Sequence, residues 1–156
     1  DPYSCTRAQL RLSDLSKKLG EIGYYIVNFE KKNLFKQKEY DYFLRKYFLS
    51  EIRIYSLFNT LKTTCNLNNT LVLYFFNPTD LLSEQQGKVL DVLVKKNPTV
   101  SVFSLNANYK DDLLVENIKT HYQITTTPTL IINEETKLEG LTTLETLEQH
   151  ANRPNT

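Results

Sequence analysis

The chain has 156 residues, 40% hydrophobic and 24% charged, with four Gly and five Pro, a composition that suits a folded protein and excludes a low-complexity one. No apolar run approaches the ~20 residues that a membrane-spanning helix needs. The length fits one domain or a small domain with an appendage, and a start at Asp1-Pro2 in a chain without Met reads as a processed or truncated product.

The net charge of +1 hides an asymmetry. Residues 1–66 hold 12 Lys/Arg against 7 Asp/Glu (+5), and residues 67–156 hold 7 against 11 (−4). Seven of the ten Tyr also fall in the first 66 residues. A shift of this kind predicts two units, 1–66 and 67–156.

In the first unit, Leu12, Leu15, Leu19, Ile22, Ile26 and Phe29 follow one another at spacings of 3 and 4, a heptad seam on one helix face. Gly20 and Gly23 oppose an unbroken rod at about 1 kcal/mol each. Lys31-Lys32-Asn33 suits a helix C-terminus. With a turn at Leu34-Phe35, a second helix is expected over residues 36–62. Its seam is Tyr40, Phe43, Tyr47, Ile54, Leu57 and Leu61, with Phe48, Ile52, Tyr55 and Phe58 as a second apolar stripe.

Cys5 and Cys65 are equidistant from position 35. An antiparallel hairpin folded there sets them side by side, the proximity a disulfide requires. Two unrelated buried thiols are the alternative. A Cys5–Cys65 disulfide would imply an oxidising compartment, periplasmic, secreted or on a membrane-anchored ectodomain. Asn68-Asn69-Thr70 is a glycosylation sequon, a short and common pattern.

The second unit opens with residues 71–76, a continuous apolar run that marks a strand buried on both faces. Asn77-Pro78-Thr79-Asp80 ends it, and Asp80 or Ser83 is placed to cap the next helix. A strand over residues 100–105, a loop and a helix begun by Asp111-Asp112 follow. Thr125-Thr126-Thr127-Pro128 then turns tightly into the β-branched run Thr129-Leu130-Ile131-Ile132. Pro belongs at the first position of such a strand, and an X-Pro bond is the usual place for a cis peptide. A turn at residues 134–137, a short strand at 138–141 and a helix at 143–151 close the chain, with 152–156 as a frayed end.

This β-α-β-α-β-β-α order resembles the thioredoxin fold over residues 71–150. The most specific part is Tyr122-Gln123-Ile124-Thr125-Thr126-Thr127-Pro128-Thr129-Leu130, similar to that family's tyrosine, short loop, cis-Pro, Thr and strand. Residues 102–108 resemble the family's second strand and its Asn-containing exit, and Gly140 resembles its glycine after the terminal hairpin. The fold class expected is therefore α/β, a thioredoxin-like central sheet preceded by an α-helical hairpin. Redox-active members carry Cys-x-x-Cys at the first helix N-terminus, where the dipole lowers a thiol pKa. Here that stretch is Thr79-Asp80-Leu81-Leu82, and Leu73 stands where family enzymes bury an acid. Thiol–disulfide exchange needs an attacking thiolate, so the resemblance implies a member without that chemistry.

Other chemistry finds little support. His121 and His150 are the only histidines and read as surface or helix-end residues. No metal-ligand spacing and no phosphate-cradling glycine loop occurs, so neither metal nor cofactor is expected. A Thr79 or Ser83 nucleophile with His121 lacks an orienting third group. The acids interspersed in the hairpin favour a solvated surface over nucleic-acid binding.

The expectation is a non-enzymatic interaction or scaffolding module that takes a protein or extended peptide by β-type pairing. By resemblance the surface is Thr79, Asp80, Leu82, Thr126, Thr127 and Pro128. The hairpin offers a second face, for self-association or a membrane-anchored complex. The alternatives are a client-binding, chaperone-like partner of a separate thiol–disulfide oxidoreductase and an enzyme in which Cys5 or Cys65 turns over.

Overall fold

The structure, a computed structural model, describes residues 2–32, 37–109 and 112–151, with the backbone alone at 2, 24–32 and 37. The expected turn at Leu34-Phe35, the cap at Asn33, the side chains of Ile26 and Phe29, Asp111 and the end at 152–156 lie outside the described residues. The chain divides into two compact units, Asp1–Leu67 and Asn68–Thr156.

The first unit is a pair of helices, α1 (Pro2–Lys32) and α2 (Gln37–Cys65). Helix α1 begins ten residues before Leu12, with Pro2 at the first helical position, where a missing N–H removes nothing the helix uses. Cys5 and Cys65 form a disulfide with Cα atoms 5.7 Å apart. It ties the start of α1 to the end of α2, so the two helices run antiparallel.

Burial follows a different line from the expected seam. On α1, Leu19 and Gly23 are buried, while Leu15 and Ile22 are exposed. On α2 the buried line is Phe48, Glu51, Tyr55 and Phe58, and Phe43 and Leu57 are exposed. The apolar pattern offered two stripes, and burial favours the second, Phe48, Tyr55 and Phe58, with the acid Glu51 buried where Ile52 was expected. Gly23 does not break α1, and it leaves room for a side chain of the other helix. A Cβ there would lie 2.7 Å from Cζ of Tyr47 on α2. Tyr47 in turn donates to Glu51 Oε1 at 2.7 Å.

The second unit is built on a four-stranded sheet of β1 (Thr70–Phe76), β2 (Val100–Asn106), β3 (Thr129–Ile132) and β4 (Thr136–Glu139). Strand order is β2-β1-β3-β4, with β1 parallel to β2 and antiparallel to β3, and β3 antiparallel to β4. The helices are α3 (Leu81–Lys96), α4 (Leu113–His121) and α5 (Leu144–Ala151). Val72, Tyr74, Leu130 and Ile132 form one core with Leu90 and Leu93 of α3 and Leu147 of α5. Residues of opposite parity, including Leu73 and Phe75, are buried on the other face, where the Phe75 ring meets Tyr122 at the end of α4. Helices therefore cover both faces, and β1 has no wet side, as its unbroken apolar run foretold.

In the second unit the closing hairpin is shifted from expectation. The β3–β4 turn occupies residues 133–135 and β4 starts at Thr136 instead of 138. Asn133 (φ 50°) and Glu134 (φ 67°) both take the left-handed conformation, and Glu135 N–H closes the turn on Ile132 C=O at 3.2 Å. Such a pair of positive φ values makes the tight turn that suits strand twist, and the missing Gly disguised it. Asn133 also grips Leu71, donating its N–H (2.9 Å) and accepting through Oδ1 (3.0 Å).

Candidate functional site

Four segments converge at one end of the sheet. Because β1 and β2 are parallel, their exits, from Asn77 and from Ala107, share that end, and Ala107 N–H donates to Phe76 C=O at 2.9 Å. The pairing Phe75↔Thr129 puts the entry of β3 beside the exit of β1. Gly140 N–H donates to Pro128 C=O at 2.9 Å, which brings in the end of β4; Gly140 has φ +78°, a conformation Gly adopts without strain. The carboxyl end of parallel strands is where α/β sheets leave a crevice for ligands.

The α3 corner is built by local polar bonds. Asp80 is the N-cap, its Oδ1 accepting from Leu82 N–H (3.1 Å) and its Oδ2 from Ser83 Oγ–H (3.0 Å). Ser83 Oγ accepts Asn77 N–H, and Asn77 Oδ1 accepts both the N–H and the hydroxyl of Thr79. Tyr74 donates its hydroxyl to Ser83 C=O, pegging the first turn of α3 to β1. Burial pushes the Tyr74 phenol far above its ordinary value; the bond to Ser83 opposes this, and the Asp80 and Asp91 carboxylates add to the rise. Tyr74 thus stays neutral, a structural donor and not a base. With Asp80 and Ser83 occupied in capping, Leu81 (66% exposed) and Leu82 (46%) project outward.

The loop before β3 contains a cis Thr127–Pro128 bond. Thr129 Oγ1 donates to Thr126 C=O at 2.7 Å, Ile124 N–H to Lys119 C=O at 2.8 Å, and Lys137 Nζ to Gln123 C=O at 2.5 Å. Pro128 is buried, Thr127 half-buried and Thr126 exposed. Beside this loop lies a cavity of about 140 Å³, lined by Ala107 and Asn108, by Lys119 of α4 and by residues 124–127.

The six residues expected to form the surface, Thr79, Asp80, Leu82, Thr126, Thr127 and Pro128, thus stand at one sheet end. Asp80 and Pro128 serve there as scaffold, and Thr79, Leu82 and Thr126 are the exposed members. Sequence reading had Leu81 only as part of the Thr79–Leu82 corner, and it passed over Leu141 (45% exposed) and Lys119. The leucines look like core residues in a linear pattern, and Lys119 looks like any helix-surface lysine. His121 is exposed, with its ring edge-on to Tyr122 at 4.6 Å. Among the described residues no cluster of His, Cys, Asp or Glu is arranged to hold a metal. Both cysteines are spent in the disulfide of the first unit.

No protein-family model matches the chain, and no curated protein matches it. Similar solved structures include a malarial protein at 15% identity, covering 56% of this chain and 99% of that one, with a TM-score of 0.48. The thioredoxin of Fasciola hepatica is 18% identical over 61% of this chain and 91% of that one, with a TM-score of 0.46. Mitochondrial thioredoxin 3 of Saccharomyces cerevisiae is 17% identical over 59% and 85%, with a TM-score of 0.44. Strand order, the cis-Pro and the closing hairpin make the second unit a mixed α/β fold of thioredoxin-like type.

Proposed function

We propose that this protein is a non-catalytic interaction module that receives an extended polypeptide at the sheet end formed by residues 79–82, 126–128 and 141, in an extracytoplasmic compartment. One observation carries the reading. The corner at which a thioredoxin-like fold would do sulfur chemistry presents Thr79, Leu81 and Leu82, and the only two sulfurs of the chain are bonded to each other elsewhere. The loop backbone at Thr126 and Thr127 would pair with the segment in β fashion, and the exposed leucines would take its apolar side chains. The disulfide favours an oxidising compartment. The helical pair would serve as a scaffold, for a second copy or for a complex held at a membrane.

The exposed leucines also favour a second reading, in which the module holds unfolded clients for a separate thiol–disulfide oxidoreductase. Two assays test these. Insulin reduction by this protein should stay at the uncatalysed rate, and reduction at the rate of a thioredoxin control refutes the non-catalytic reading. Thr127→Arg should abolish binding in pull-downs. Suppression of aggregation for several unrelated clients, lost in the same variant, selects the client-holding reading over a single fixed partner.

A further inference from the structure

Lys119 is placed oddly for a surface lysine. Its side chain is only 25% exposed, and it lines the cavity beside residues 124–127. The ammonium at the end of such a partly covered side chain is held in a restricted place, where an anion can take a charge-assisted hydrogen bond from it. Its acceptor among the described residues is poor: one oxygen of Glu116, at 3.5 Å, from a side chain 56% exposed one helical turn away. Such pairs contribute little and are readily exchanged. Among the described residues of the lining, Lys119 is the one charged side chain, and Asn108, Thr125, Thr126 and Thr127 offer an amide and three hydroxyls that can donate hydrogen bonds. The main chain holds this arrangement in place, because Lys119 C=O accepts Ile124 N–H at the start of the same loop.

We infer that the polypeptide taken at this sheet end carries a carboxylate, which enters the cavity and replaces Glu116 as the partner of Lys119. The inference rests on the peptide-binding reading above and adds the chemistry of the ligand to it. An Asp or Glu side chain and a free C-terminus supply the same group. A planar carboxylate can accept from Nζ with one oxygen and from Asn108 or a Thr hydroxyl with the other. The exposed leucines would then fix an apolar residue and Lys119 an acidic one, giving the bound segment both register and direction.

Two displayed peptide libraries are the probe, one with internal random segments and one with free C-termini, selected against the intact protein and against Lys119→Gln. The protein should enrich peptides with an acid at one fixed distance from an apolar residue. Changing that Glu to Gln in the synthetic peptide should weaken binding about fivefold, the scale of a half-buried ion pair. Lys119→Gln should lose a similar factor for the acidic peptide and become indifferent to the Glu-to-Gln change, while Lys119→Arg keeps the preference. Enrichment confined to the free-C-terminus library would name the terminal carboxylate as the source. Peptides without acids, or an acid preference unchanged in Lys119→Gln, overturn the inference and leave peptide binding standing. If neither library yields a peptide whose binding Thr127→Arg abolishes, the underlying reading falls and this one with it.

Discussion

The most demanding prediction concerns Glu51, a carboxylic acid 2% exposed in the buried line of α2. Its Oε1 accepts the Tyr47 hydroxyl at 2.7 Å, and its Oε2 has no partner among the described residues. Burial pushes its pKa from 4.5 up to about 8, against the Tyr47 bond, which pulls the other way. Below about pH 4.5 both folded and unfolded chains hold a neutral acid and the site costs no ionisation. Between about 4.5 and about 8 the unfolded chain ionises while the folded one does not, so stability falls as pH rises, by about 1.4 kcal/mol per pH unit. Over the whole window the loss is on the order of 4–5 kcal/mol, and above pH 8 it levels off. Glu51→Gln removes the titration and keeps an acceptor for Tyr47. Urea unfolding followed by circular dichroism, in steps from about pH 5 to about pH 9, should give a wild-type stability that declines relative to the variant by several kcal/mol. Parallel pH profiles for the two proteins would refute the argument, and so would a wild type that gains on the variant as pH rises.

Three further substitutions test the packing. Gly23→Ala places a methyl group against the Tyr47 ring and should destabilise the helical pair by about 1–3 kcal/mol, more than the roughly 1 kcal/mol gained in helix propensity. Gly20→Ala meets nothing within 4 Å and should stabilise by up to about 1 kcal/mol, so thermal melts of the two variants should shift in opposite directions. Gln86→Leu strips the buried Thr142 backbone of both its bonds to the Gln86 amide (3.2 and 2.7 Å), at an expected cost of about 2–5 kcal/mol in urea unfolding.

How much was legible beforehand depended on how local the signal was. The run 71–76, the Asp80 cap and the approach to Pro128 each carry their structure in a few adjacent residues, so strands and helices of the second unit could be placed within a residue or two. The disulfide was legible from symmetry, because an antiparallel hairpin leaves little freedom in where its ends meet. What failed was anything decided across elements. The buried line of α2 passes through Glu51, which reads as a surface residue until its neighbours are known. Gly23 reads as a helix breaker until Tyr47 is seen against it. The β3–β4 turn uses Asn133 and Glu134 where Gly would have announced it. In the site, the corner and the proline loop were found through their likeness to a known pattern, whereas Lys119 has no linear signature. Its place in the cavity lining depends on a loop that returns beside it only in three dimensions.

The Cys5–Cys65 bond also closes residues 5–65 of the first unit into a covalent ring. One cleavage anywhere inside that ring leaves the chain in one piece until a reductant is added. The same cut one residue past Cys65 would sever the covalent link to the second unit, so the oxidised chain tolerates proteolytic nicks unequally along its length.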